Sequence, residues 1–70
     1  MYKRIRDLRE DADMTQTEIA KILNCSQRVY SNYERGDLDI PTHILISLSL
    51  YYNVSVDYLL GLTDKKEINK

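Results

Sequence analysis

Glycine, proline and cysteine are scarce: two Gly, one Pro and one Cys among 70 residues. So few turn formers leave little place for hairpins or long irregular segments, and a helical protein is the default expectation. The single cysteine, Cys25, has no second thiol for an internal disulfide or a shared metal site, which excludes a disulfide scaffold and is compatible with a reducing compartment. The one histidine, His43, has no cysteine or carboxylate at ligand spacing, so no metal site is expected. No apolar run approaches the length of a membrane span, and the opening MYKRIRDLRED is charged where a secretory signal would be apolar. A cytoplasmic location with no membrane partner is expected. Basic residues are missing from a long stretch as well: residues 37–64 hold Asp37, Asp39, Asp57 and Asp64 but no Lys or Arg. With a net charge of −1, indiscriminate coating of nucleic acid is disfavoured, because such binding rests on basic surface that neutralises phosphates. The distribution is uneven. Residues 1–10 carry Lys3, Arg4, Arg6 and Arg9 against Asp7 and Glu10, so one end is basic and the other acidic.

What is present is helical periodicity, in a length that suits one small domain. Tyr2, Ile5, Leu8 and Ala12 recur at three- and four-residue intervals and predict a first amphipathic helix ending near Asp13. Thr15 followed by Glu18 has the capping-box pattern, with Met14 and Ile19 as its hydrophobic staple, so a second helix starts at Gln16 and runs about two turns. Ser26 caps a third helix from Gln27, whose inner face is Val29, Tyr30 and Tyr33 and which Gly36 closes by adopting positive φ. Asp37 to Ile40 form a polar loop. Pro41 fits the first turn of a fourth helix reaching about Tyr52, and Ser55 caps a short fifth over residues 56–60 that Gly61 ends. The remaining tail has few apolar anchors and is expected to fray. There is no internal repeat and no low-complexity tract. The expected organisation is one domain over residues 1–64, with residues 65–70 as the frayed tail.

Only Asn24, Cys25 and Ser26 separate the second helix from the third, the spacing of a helix-turn-helix, whose second helix can enter a DNA major groove. The stretch TQTEIAKILNCSQRVYSNYERG resembles the Cro/lambda-repressor-type helix-turn-helix (XRE) family, in which a T-Q, an E-x-A, a serine cap and an E-x-G recur. The later IP and YYNVSVDYLLGLTD are similar to the closing part of the same domain, so the likeness spans roughly residues 3–64. Asn24 stands where members commonly have glycine, a substitution the left-handed turn tolerates. The resemblance implies an all-α, five-helix, lambda-repressor-like domain that binds double-stranded operator DNA.

Base edges are recognised by side chains with paired donors and acceptors, and the third helix opens with them. The resemblance assigns base contacts to Gln27, Arg28, Ser31 and Asn32; periodicity alone would make the same residues a solvated polar face. It assigns a phosphate contact to Gln16, which otherwise reads as an ordinary first-turn residue at a helix end that favours anions. Tyr33 and Arg35 are weaker phosphate candidates: Tyr33 equally reads as core packing with a wet tip, and Arg35 as a complement to the helix C-terminus. Asp37 and Asp39 lie in a loop that many relatives make basic, which predicts modest affinity and a shallow salt dependence. Arg9 and Glu34 are assigned a structural ion pair tying the first helix to the end of the third.

The fourth helix has two apolar sides. Ile44, Leu45, Leu48 and Tyr52 make one stripe, while Ile46 and Leu50 lie nearly opposite. Ile46 and Leu50 are therefore either packed on the fifth helix or part of a homodimer interface. Cys25, in the turn, reads as a small buried hydrophobe rather than a nucleophile, and no glycine-rich loop cradles a phosphate. No enzyme activity, cofactor or small-molecule ligand is expected. Repression by blocking polymerase is the expected mechanism, since 70 residues leave no room for a separate effector domain. An antitoxin or other protein-interaction module is the alternative.

Overall fold

Five helices follow one another in the computed structural model, which describes residues 2–67: α1 (Lys3–Asp11), α2 (Gln16–Ile22), α3 (Gln27–Arg35), α4 (Thr42–Tyr52) and α5 (Val56–Leu59). No strand occurs among the described residues, and the all-α class is as the sequence implied. α1 stops earlier than its periodicity predicts. Ala12 is exposed outside the helix, and Asp13 turns the chain with φ 55°, a left-handed conformation that Asp tolerates better than most side chains.

The caps behave as their chemistry dictates. Thr15 accepts from the Glu18 backbone N–H at 3.1 Å while the Glu18 carboxylate accepts from the Thr15 N–H at 3.0 Å. Ser26 accepts from the Val29 N–H, and Gly36 closes α3 in the left-handed region at φ 83°. Pro41 differs from expectation by one position: it precedes α4 with an extended ψ of 148°, and its carbonyl accepts from Ile44 and Leu45. Ser55 caps α5 through the Tyr58 N–H, and Leu60 lies just outside the helix.

One core holds the helices together. Ile5 from α1, Ile19 and Ala20 from α2, Tyr30 from α3, Leu48 from α4 and Leu59 from α5 are all buried in it. α2 packs on α3, α4 on α5, and α1 bridges α3 and α5. This leaves the starts of α2 and α3 adjacent on one side.

Contacts from the tail reach as far as Lys66. The Ser55 N–H donates to the Lys66 carbonyl at 2.8 Å, and the Leu62 N–H to the Asp57 carbonyl at 2.9 Å. Arg4 donates to the Thr63 carbonyl, pairs with Asp64 and lies 4.3 Å from the centre of the Tyr58 ring. Polar and cation–π anchors thus do what apolar ones could not. Residues 68–70 of the expected tail lie outside the described residues.

Candidate nucleic-acid interface

Thr15 and Ser26 commit Gln16 and Gln27 to the first turns of α2 and α3, where backbone N–H groups lack helical partners. Leu23 closes α2 and Asn24 carries the turn at φ 58°, in the left-handed region that asparagine accepts. Packing α2 on α3 then brings the two glutamines together: Gln27 Nε2 donates to Gln16 Oε1 at 2.8 Å.

Gln27 and Arg28 are exposed, and Ser31 and Asn32, one turn further along, are half-buried. Positions 27, 28, 31 and 32 share one side of a helix, so donors and acceptors are gathered on a single face. Asn32 is not free on that face, since its Oδ1 accepts from the Arg35 guanidinium. Arg35 also pairs with Asp37, Nε to Oδ2 at 3.2 Å, and both groups are exposed. The acidic loop therefore occupies the one cation at the end of α3. Tyr33 is partly buried against the core.

Behind the face lies a buried ion pair. Arg9 donates from Nε to Glu34 Oε2 and from Nη2 to Oε1, both at 3.0 Å, and from Nη1 to the Met14 carbonyl at 2.9 Å. Burial would push the Glu34 carboxyl up, but the hydrogen bonds and charge of Arg9 outweigh it and hold the group below the usual carboxylate range. The Tyr30 hydroxyl is buried beside this carboxylate without hydrogen-bond geometry, and its own ionisation is pushed well up by that burial. Gln16 is drawn toward the pair, with Nε2 3.5 Å from Glu34 Oε1. Burial also pushes the Cys25 thiol up, away from nucleophilic character.

On the far side of α4, Ile46 is 50% exposed and Leu50 70% exposed. Packing on α5, one of the two options left open by the pattern, does not cover them. Two features escaped sequence reasoning. Arg4 counted only as part of a basic end, and nothing local pointed to Tyr58 or Asp64. The Gln16–Gln27 bond had a faint signal: each glutamine directly follows its helix cap across the same short turn.

A model of the helix-turn-helix family matches residues 5–59. The chain belongs to the helix-turn-helix family. It is 47% identical over 68 residues to the HTH-type transcriptional regulator ImmR of Bacillus subtilis (strain 168), covering 97% of this chain and 51% of that protein. It is 34% identical over 59 residues to the antitoxin PezA of Streptococcus pneumoniae, covering 84% of this chain and 37% of the antitoxin. The helix-turn-helix chain thus spans about half the length, or less, of these two relatives. Among solved structures it is similar to the P22 c2 repressor protein in complex with a synthetic operator, at a TM-score of 0.77 and 30% identity over 84% of this chain and 89% of that one. Among the described residues of this helix-turn-helix domain, no helix is long and apolar enough to cross a membrane.

Proposed function

We propose that this helix-turn-helix domain binds double-stranded DNA in a sequence-specific manner and serves a transcriptional regulator that represses from a palindromic operator. The observation that carries the reading is the grouping of Gln27, Arg28, Ser31 and Asn32 on one face of α3, beside Gln16 at the start of α2. In that reading Gln27 and Asn32 read adenine, Arg28 reads guanine, and Ser31 contacts whichever base edge it meets. Gln16 and the wet tip of Tyr33 hold phosphate oxygens. Arg35 reaches a phosphate only by giving up Asp37, so its contribution is small. The similarity to a repressor bound to its operator supports repression over activation.

A homodimer fits this reading by size. The described protomer measures 31 × 23 × 19 Å and carries one α3, whereas operator half-sites lie about 34 Å apart, one turn of DNA. Two copies side by side meet that spacing, and the uncharged outer side of α4, with Ile46 and Leu50, is the face assigned to their contact. Leu50→Glu is expected to lower the sedimentation coefficient to that of a monomer; an unchanged value removes this face from the interface.

The test of the whole reading is selection of bound duplexes from a random library at fixed, moderate salt. Enrichment of an inverted repeat with half-sites about ten base pairs apart establishes the dimeric regulator. Absence of enrichment transfers the assignment to the second reading, a module that binds a partner protein. That reading is favoured by the likeness to an antitoxin and by the bare apolar face of α4.

A further inference from the structure

α3 carries a cation near each end, Arg28 in its first turn and Arg35 in its last, and their surroundings differ. Arg28 is exposed and has no carboxylate within ion-pair distance among the described residues. Arg35 lies seven positions further on, two turns along the same side, and is held by two neighbours. Its Nη2 donates to Asn32 Oδ1, and its Nε lies 3.2 Å from Asp37 Oδ2.

Residues two apart on a helix do not face each other, so the pairing with Asp37 comes from the backbone. Gly36 turns left-handed at φ 83°, its N–H donates to the Tyr33 carbonyl at 3.1 Å, and the Asp37 N–H donates to the Asn32 carbonyl at 2.9 Å. This is the Schellman closure, which folds the chain back over the last turn. The helix itself does not favour a carboxylate there, because its dipole is negative at that end. The cation is what Asp37 answers.

To a guanidinium, the carboxylate of Asp37 offers what a phosphate offers, an anionic oxygen. An arginine already neutralised in this way releases no counterion when it meets DNA, whereas a free one adds a phosphate contact on any sequence. Moving to a phosphate would also take the guanidinium off Asn32. On arbitrary DNA that loses nothing, since Asn32 has no base to read there; on an operator it gives up the hold on a base-reading amide.

We infer that Asp37 is a specificity-determining residue: standing in for a phosphate, it keeps Arg35 on Asn32 and off the DNA backbone, and so weakens binding to arbitrary sequence more than binding to the operator. This rests on α3 being the helix that reads DNA.

The test compares wild type with Asp37→Asn on two duplexes, the one enriched from a random library and a scrambled one of the same composition. Both charged side chains are exposed, so the substitution leaves the fold in place. An exposed pair holds its partners by a factor of at most about five, so Asp37→Asn is expected to tighten the scrambled duplex about threefold and to steepen its salt dependence by about one counterion. The enriched duplex is expected to tighten less, so that the ratio of the two affinities falls about twofold. Asp39→Asn removes the same charge from the same loop, where it makes no ion pair among the described residues, and is expected to leave the ratio unchanged. In an Arg35→Ala background, Asp37→Asn is expected to do no more than Asp39→Asn.

Tightening that is absent, or equal on both duplexes, overturns the proposal. So does an equal fall in the ratio from Asp39→Asn, or one that persists without Arg35, because the charge and not the pair would then be acting. A library that yields no enriched duplex is a different failure: it removes the sequence-specific reading of α3, and the proposal with it.

Discussion

Two arginines of α1 reach across the fold to a carboxylate, Arg4 to Asp64 and Arg9 to Glu34, and their surroundings could hardly differ more. The side chains of Arg9 and Glu34 are 13% and 4% exposed, those of Arg4 and Asp64 27% and 97%. Arg9 spends three N–H groups on fixed acceptors, two on Glu34 and one on the Met14 carbonyl. Arg4 holds a ring, a carbonyl and a carboxylate that is otherwise in water. Water screens an exposed pair and would solvate either partner alone, so such a pair is worth about 0–1 kcal/mol. A buried pair adds little over an apolar filling, yet removing one member strands the other charge at a cost of about 3–5 kcal/mol. The same two functional groups therefore make a clasp at one end of α1 and a keystone at the other.

The comparison breaks most visibly at Glu34. Glu34→Ala is expected to destabilise the domain by about 3 kcal/mol in urea unfolding, because it leaves the largely covered Arg9 with only the Met14 carbonyl and the more distant, exposed Glu10 carboxylate. A loss below about 1 kcal/mol would put this pair in the same class as the exposed one.

Acid is the next lever. The folded Glu34 carboxyl is held below its unfolded value of about 4.3, so its stabilisation is complete above that pH and is lost as pH falls through the lower, folded value. The urea midpoint of wild type is expected to fall below about pH 4, with a steeper drop than in Glu34→Gln, which has no carboxyl to protonate there. Parallel acid limbs would show that Glu34 titrates alike in both states.

Arg4→Ala is expected to cost about 1 kcal/mol, through the lost stacking on Tyr58 and the loosened tail, and to speed hydrogen exchange at the Leu62 amide. Asp64→Asn is the smallest change. It should leave Tm within measurement error, because the carboxylate is almost wholly solvated. A clear loss at Asp64 would mean that the tail contributes to the core in a way its exposure conceals.

Local signals carried most of the architecture. Thr15 with Glu18, Ser26, Gly36 and Ser55 act at their own positions, through hydrogen bonds that span three or four residues, and those boundaries were legible before any packing was known. Ala12 and Pro41 were misplaced because periodicity and propensity locate a helix end only to within a residue or two. The contacts of the tail were not legible for a related reason. Its anchors are the guanidinium of Arg4 and backbone carbonyls, and neither registers in a search for apolar spacing.

At the candidate interface the sequence supplied the members and left their relations open. The polar opening of α3 was readable from Gln27, Arg28 and Asn32, and the family from the motif that contains them. That Gln27 is tied to Gln16 and that Ile46 and Leu50 remain bare depend on where separate helices come to rest. By itself the sequence determined the helices, their caps and the short turn between α2 and α3, because those follow from interactions within a few residues. Only the tertiary structure decided which arginine is buried, which amide faces which, and which apolar side chains stay uncovered, because burial and pairing are properties of chain segments brought together.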